Sequence, residues 1–368
     1  MINNWSACKN ILVIRPDNMG DLLMTTPAIR ALKETFDAKI TVLTSAMAAG
    51  IARQIPEIDD VITFDVPWIK TTQVNGEAAV LDVVAQLKEK AFDAAVIFTV
   101  YSQNPMPTVM LAYLAGIPLR LAYCRENPYQ LLTNWVPDKE PYDLIRHQVR
   151  RDLDLVTAVG AVTNSERLSL DVPGVWPQVA QKLQALEVDT HKPWLLMHPG
   201  VSEPKREYPA DKWAKAARQV VDELGYQVLL TGAASEQALA QNIQHMAGQG
   251  VYSVAGQFKL DEFAALIKQA PMLVSVNTGT IHIAAATGTP TVVLYALTNP
   301  QHTPWRVACK VLPFSIPAEA QSKNEVIVHV NKLFNQQSTA MPSANDIVAA
   351  IRNLLNNPME LNEELVGL

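Results

Sequence analysis

Short apolar runs alternate with longer amphipathic stretches along the whole chain, and this alternation predicts the fold before any single residue is considered. Residues 11–15 (I-L-V-I-R) form the first run; P-D-N-M-G-D follows, and then a stretch over 22–36 in which Leu22, Leu23, Ile29 and Leu32 fall on one side of a helix. Runs at 40–44, 61–64, 94–98 and 119–123 read as strands, with helices over 77–90 and 105–116 and an Ala-rich segment at 46–54 between them. Strands separated by helices of this length require right-handed crossovers, and therefore a parallel sheet. The stretch 65–76 is a loop long enough to suggest a function. Residues 125–142 lack periodicity and read as irregular. Over 145–159 the apolar Val149, Leu153, Val156 and Val159 leave Arg146, His147, Arg150 and Arg151 largely on the other face, which is either a solvated helix face or a basic rim for an anionic acceptor.

The pattern breaks between 163 and 192, at D-V-P-G-V-W-P and V-D-T-H-K-P, and then resumes as a second series. Strands are predicted at 194–197, 227–230 and 251–254, and helices at 211–224, stopped by Gly225, at 235–246 and at 260–269. The stretch V-S-V-N-T-G-T-I-H-I-A-A-A-T-G-T-P-T-V-V-L-Y over 274–295 is a strand, a tight turn, a short helix of small residues stopped by Gly288 and Pro290, and another strand. Near the end Ser343, with Asp346 three residues on, caps a helix reaching Leu355. The predicted architecture is α/β, with Rossmann-like halves at 1–170 and 171–342 and a final segment over 343–368. Ligands of such open sheets bind outside the carboxyl ends of the strands, here across a cleft between two facing halves.

Composition narrows the class. A chain of 368 residues with 49% hydrophobic content can build two α/β cores, and a net charge of −6 argues against broad nucleic-acid contact. Cys8, Cys124 and Cys309 lie far apart in no metal-type spacing and read as reduced thiols. No apolar run approaches the roughly 20 residues needed to span a bilayer. The expected location is cytoplasmic, with peripheral membrane contact left open.

Neither half carries G-x-G-x-x-G, a Walker A sequence, G-x-S-x-G or a cluster of metal ligands, so no cofactor or metal is expected. Four places remain. Asp21, at the first strand-to-helix turn, is either a helix cap or a carboxylate able to take a proton from an attacking hydroxyl. The loop H-P-G-V-S-E-P-K-R-E-Y-P over 198–209 puts Ser202, Lys205 and Arg206 where two cations offset a diphosphate, unless they are merely exposed. Glu236, in T-G-A-A-S-E, is a ribose-binding acid or an ordinary first-turn acid. The turn Asn277, Thr278, Gly279, Thr280 opens a helix N-terminus suited to an anion, with His282 either packed or a ligand.

Taken together, in order and spacing, these motifs resemble glycosyltransferase family 9, which includes the ADP-heptose:lipopolysaccharide heptosyltransferases. The resemblance rests on I-R-P-D-N-M-G-D-L-L-M-T-T-P-A-I-R-A-L, H-P-G with K-R-E-Y-P, L-L-T-G-A-A-S-E, and the 274–295 stretch followed by T-N-P. It implies a GT-B fold, with the acceptor on the first domain, the nucleotide sugar on the second and the last helix crossing back to the first. It also implies inverting, metal-independent transfer of a sugar, heptose from ADP-heptose, to a hydroxyl of a lipopolysaccharide-core or related surface glycan. In that reading Asp21 is the catalytic base, and Ser202, Lys205, Arg206, Glu236, Asn277, Thr278, Gly279 and His282 bind the nucleotide sugar. A glycan or glycolipid acceptor implies work at the inner face of the inner membrane. Two departures stand out: Asn277 replaces the acid of a D-T-G motif, and K-R-E-Y-P is one residue longer than K-R-x-P. The rival readings are a GT-B nucleotide-sugar epimerase or hydrolase, which needs no acceptor, and a non-catalytic nucleotide-sugar-binding protein.

Overall fold

The computed structural model describes residues 4–70, 75–334 and 338–357. The chain divides into two compact units between Leu170 and Asp171. In the first unit, β1 (Asn10–Arg15), β2 (Lys39–Thr44), β3 (Asp60–Thr63), β4 (Ala94–Ile97), β5 (Leu119–Cys124) and β6 (Asn134–Pro137) form one parallel sheet in the order β3-β2-β1-β4-β5-β6. Its helices are α1 (Met19–Phe36), α2 (Ala46–Ala52), α3 (Glu77–Glu89), α4 (Met106–Leu114) and α5 (Gln148–Thr157). Ile11, Leu12, Val13 and Ile14 are all buried, without alternation, as expected for a strand covered on both faces.

The second unit repeats the plan. After α6 (Trp176–Ala185) come β7 (Trp194–His198), α7 (Ala210–Gln219), β8 (Gln227–Leu230), α8 (Gln237–Ala247), β9 (Val251–Ser253), α9 (Leu260–Gln269), β10 (Leu273–Val276), α10 (Gly279–Thr287), β11 (Thr291–Ala296), β12 (Cys309–Phe314), α11 (Glu325–Phe334) and α12 (Ala344–Asn356). The sheet order is β12-β11-β10-β7-β8-β9, again parallel throughout. In both units the first and fourth strands lie side by side at the centre, and the chain leaves them in opposite directions. That topological switch point opens a crevice at the carboxyl ends of β1 and β4, and of β7 and β10.

Four elements escape the apolar pattern. β6 reads N-W-V-P, half-exposed and ending in Pro137, which only an edge strand tolerates. β12 is also an edge strand, broken by Lys310 and Pro313. α6 buries only Val179 and Leu183, one turn apart, after a proline at its start. α11 starts from Asn324, whose Oδ1 accepts from Val326 N at 3.0 Å and from Ile327 N at 3.3 Å. The stretch 65–76 lies against the first unit as far as it is described: Phe64, Val66, Trp68 and Ile69 pack on the core, and the Trp68 indole donates to Thr108 Oγ1 at 2.9 Å. Residues 71–74 of that loop lie outside the described residues.

The last described helix packs within the second unit. α12 is capped as predicted, with Ser343 Oγ accepting from Asp346 N and the Asp346 carboxylate accepting from Ser343 N. It packs on α7 and along β11 and β12, inside the second unit. Ile347, Val348, Ile351 and Leu354 join Trp213, Ala217 and Phe314 in one core, and Tyr208 Oη donates to Pro342 O at 2.6 Å just ahead of the helix. The apolar stripe of α12 therefore has its partner close by in the second unit; the stretch beyond residue 357 lies outside the described residues. Ile351→Ala is expected to destabilise the second unit by about 2–5 kcal/mol, the usual cost of emptying a buried Ile site. Urea unfolding checks this, and an unchanged midpoint would detach α12 from that core.

Candidate functional site

At the carboxyl edge of the second sheet, three loops are tied together by named contacts. The loop after β7 makes a short 3-10 turn at Pro204–Arg206, from which Arg206 Nη1 donates to the backbone oxygen of Asn277 at 2.9 Å. Arg206 thereby fastens the β7 loop to the end of β10. Glu203 pairs with both cations, 3.3 Å from Lys205 Nζ and 3.2 Å from Arg206 Nη2. The short turn thus sets two cations against one acid, with a second acid, Glu207, exposed just after it. Ser202 is exposed beside them.

Glu236 reaches the same place from the loop after β8. Its carboxylate accepts from Ala233 N at 2.7 Å, bracing the short turn ahead of α8, and lies across Gly200. A Cβ on Gly200 would stand 2.1 Å from Glu236 Oε1, so the glycine of H-P-G is what allows the carboxylate to approach the β7 loop. Behind it the buried ring of His198 shares a 3.0 Å hydrogen bond with Thr231 Oγ1, linking the ends of β7 and β8. Burial pushes the His198 imidazole down to about 4, so the ring is neutral at physiological pH.

Asn277 behaves differently from the sugar contact that its motif position suggests. Its side chain is 6% exposed for the residue as a whole, and its Nδ2 donates to Ala296 O at 3.1 Å and to Thr298 Oγ1 at 3.2 Å, while Oδ1 accepts from Ala296 N at 3.1 Å. The amide thus clamps the end of β10 to the end of β11 and to the T-N-P loop. A carboxylate could not make the two donations, which gives the departure from D-T-G a structural reason. What stays available at this turn is Thr278, whose hydroxyl is buried with no hydrogen-bond partner among the described residues, and the first turn of α10, which begins at Gly279. His282 is buried in α10 and meets His302 edge-on, ring centroids 6.3 Å apart. Sequence spacing already puts Glu203 beside Lys205, whereas Thr231 and His302 come to this edge only through the fold.

In the first unit Asp21 lies in the first turn of α1, and Asn18 holds the cap position, so Asp21 is not the N-cap. Its partner is Arg15, the last residue of β1, whose Nη2 donates to Asp21 Oδ1 at 3.4 Å. Arg15 is 0% exposed, and its Nε stands 3.2 Å from Asp17 Oδ2. Burial raises the Asp17 carboxyl to about 6, against the opposing pull of Arg15. Asp152, on α5, accepts from Thr25 Oγ1 at 2.8 Å and Gln148 Nε2 at 2.7 Å, and burial raises it likewise to about 6. The signal that sequence reasoning passed over is a lone charged residue closing an otherwise uncharged strand, with Asp17 two residues on.

The basic face of α5 is corrected here. Arg151 is fully buried: it grips Asp138 through two bonds of 2.8 and 3.0 Å, reaches Glu140 at 2.7 Å, and lies 4.4 Å from the centre of the Tyr123 ring. Burial alone would lower its pKa, but Asp138 and Glu140 outweigh that and hold the guanidinium charged. His147 is buried at the cap of α5, accepting from Val149 N, while Arg146 pairs with Glu140 and Asp154 and Arg150 with Glu166. These acids lie in the stretch 125–142, within α5 at Asp154 and beyond it at Glu166, so α5 presents neither a solvated basic face nor an unmatched rim.

Two expected outcomes follow from this geometry. Asn277→Asp removes the donations to Ala296 O and Thr298 and is expected to cost about 1–3 kcal/mol, the penalty of unmade buried hydrogen bonds; an unchanged urea midpoint would mean that the clamp holds nothing. For His198 the folded pKa of about 4 lies below the ordinary 6.5, so the unfolded chain binds the proton first and stability falls as pH drops through that window. Relative to His198→Gln, the wild type is expected to lose about 3 kcal/mol across it. Parallel stability curves for the two proteins would show the ring to be solvated.

Comparison with known proteins identifies the family. Residues 80–339 match the sequence model of Glycosyltransferase family 9 (heptosyltransferase). Lipopolysaccharide heptosyltransferase 2 of Escherichia coli strain K12 is 29% identical over 310 residues, covering 80% of this chain and 84% of that protein. Its counterpart from Salmonella typhimurium is 28% identical, with the same coverage of 80% and 84%. Among solved structures, a glycosyl transferase family 9 protein from Veillonella parvula aligns with a TM-score of 0.78 at 20% identity, over 95% of this chain and 98% of that one. Escherichia coli ADP-heptose lps heptosyltransferase II aligns with a TM-score of 0.71 at 23% identity, over 95% and 99%. With two Rossmann-like units of matching strand order and a family match across most of its length, the chain has the GT-B fold and belongs to glycosyltransferase family 9, the heptosyltransferases.

Proposed function

We propose that this glycosyltransferase moves heptose from ADP-heptose to a hydroxyl of the lipopolysaccharide core, with inversion and without a metal. The observation that carries this reading is the similarity to lipopolysaccharide heptosyltransferase 2 over 80% of the chain. The geometry of the second unit supports a diphosphate at the switch point. Lys205 and Arg206 bring positive charge to that edge, and the opening turn of α10 adds backbone amides and the Thr278 hydroxyl. Arg206 is already bound to the end of β10, so Lys205 is the better candidate for the phosphate, taken from Glu203 as the donor arrives. Ser202 and Gly279 border the same place, Glu236 is the candidate for the ribose hydroxyls, and His282 supports the turn from within α10. Asn277 serves by holding the T-N-P loop rather than by touching sugar.

In the first unit, Asp21 is the proposed base. Its carboxylate takes the proton of the acceptor hydroxyl as that oxygen bonds to the anomeric carbon and the bond from that carbon to the diphosphate oxygen breaks. ADP leaves with the bonding pair, its charge offset by the cations of the β7 loop. No helix among the described residues is long and apolar enough to cross a membrane. A lipid-linked acceptor brings the enzyme to the membrane surface, and the proposed location is the cytoplasmic side of the inner membrane.

The deciding experiment combines calorimetric binding of ADP, UDP, GDP, CDP and ADP-heptose with transfer assays on a core acceptor. Asp21→Ala is expected to lower transfer by about 10²–10⁴-fold, the usual contribution of a positioned base, while donor binding is kept. Lys205→Ala is expected to weaken ADP binding. Selectivity for another nucleotide discards heptose, and equal loss of transfer and donor binding in Asp21→Ala makes that residue structural.

A further inference from the structure

Arg15 has no contact with solvent, yet it sits where the chain turns from β1 into the Asp21 helix, and it is the one charged residue of β1. Two acids diverge around it. Asp17 Oδ2 lies 3.2 Å from its Nε, and Asp21 Oδ1 receives its Nη2 at 3.4 Å. Asp17 is fixed in turn, since its Oδ1 accepts from Gln103 Nε2 in the segment after β4 and its backbone oxygen accepts from Ser45 Oγ at 2.6 Å. The Arg15 carbonyl accepts from Thr44 Oγ1 at 2.8 Å. The Arg15 backbone is thereby tied to β2, Asp17 is fixed from the segment after β4, and the guanidinium lies between Asp17 at Nε and Asp21 at Nη2. The acid is only slightly solvated, with 13% of its side chain exposed.

We propose that Arg15 is a positioning residue for the Asp21 base, held in place by Asp17 as the second carboxylate of one guanidinium clamp. The proposal rests on the reading of Asp21 as the base. A buried guanidinium is costly unless matched by acids, so its place between Asp17 and Asp21 is fixed by charge as well as by shape. The clamp does two things for Asp21. It fixes the orientation of the carboxylate through Oδ1, and it sets a cation between Asp21 and a second acid that on its own would repel it. The 3.4 Å contact is long for a hydrogen bond, leaving room to tighten when an acceptor is bound. The other charged groups facing this cluster are Asp152 and Arg151 of α5, which act on Arg15 with opposite sign. They are untouched by the variants below and act on all of them alike.

The test is the pH dependence of kcat/KM for Asp17→Asn, Arg15→Gln and Arg15→Lys, with thermal unfolding of each and with Asp21→Asn alongside. Asp17→Asn removes a negative charge next to Asp21, so the acid limb of the profile is expected to move to lower pH. Arg15→Gln removes the cation, so the limb is expected to move to higher pH, by about one unit or more. Arg15→Lys keeps the charge without the fork, so kcat falls while the limb stays near the wild-type position. A purely structural role lowers activity and melting temperature together and moves the limb in neither direction, and that result overturns the proposal. Should Arg15→Gln fail to fold, the Asp17→Asn shift and the Arg15→Lys profile still decide it. Asp21→Asn separates the two levels: if it retains transfer, the base reading falls, whereas if it abolishes transfer and the opposite shifts are missing, only the clamp falls.

Discussion

A charge placed at the carboxyl edge of an all-parallel sheet must be matched locally, because the strands on either side are apolar and covered on both faces. Each unit of this protein meets that constraint with an arginine. In the first unit Arg15 ends the central strand and is balanced by Asp17 and Asp21. In the second Arg206 comes from the loop and is balanced by Glu203 and by the carbonyl of Asn277 at the end of the neighbouring strand. Much of what surrounds the two switch points can be read as the consequence. The glycine at position 200 makes room for Glu236, Gln103 secures Asp17, and the Asn277 amide ties the third loop to the rest.

The two edges differ in what they leave open. In the first unit buried acids accumulate around one guanidinium, and burial raises Asp17 and Asp152 to about 6. An edge of that kind suits proton transfer, since its groups change charge near neutral pH. In the second unit the nearby imidazole is pushed the other way, to about 4, and stays neutral, while Lys205 and Arg206 stand with Glu203 and Glu236 near the open first turn of α10. Such an edge suits a permanent anion. In the proposed function, the base for the acceptor belongs to the first edge and the counter-charge for the leaving group to the second.

Asn277 illustrates how a motif position and a role can separate. The family pattern places an acid there, and the amide reads from sequence as an altered sugar contact. In the structure both ends of the amide are taken up by Ala296 and Thr298, a pairing that needs a donor and an acceptor on one short side chain. Substitution at this position therefore acts first on the T-N-P loop and only through it on any ligand.

Local patterning by itself determined the α/β class, the order of most strands and helices along the chain and the loops that carry Asp21, Lys205, Arg206, Glu236 and Thr278. Those features depend on side chains within one element or one turn, where apolar period, caps and glycines act over a few residues. Tertiary structure decided the rest. The burial of Arg151 depends on Asp138 and Glu140 in a stretch without periodicity, and the docking of α12 depends on α7, more than a hundred residues earlier. β6 and β12 are strands only because a sheet edge lies beside them. The partners of Arg15 and of the Asn277 amide could not be read from spacing, because a buried polar group is satisfied by whatever the fold brings within about 3 Å, and sequence distance places no limit on that.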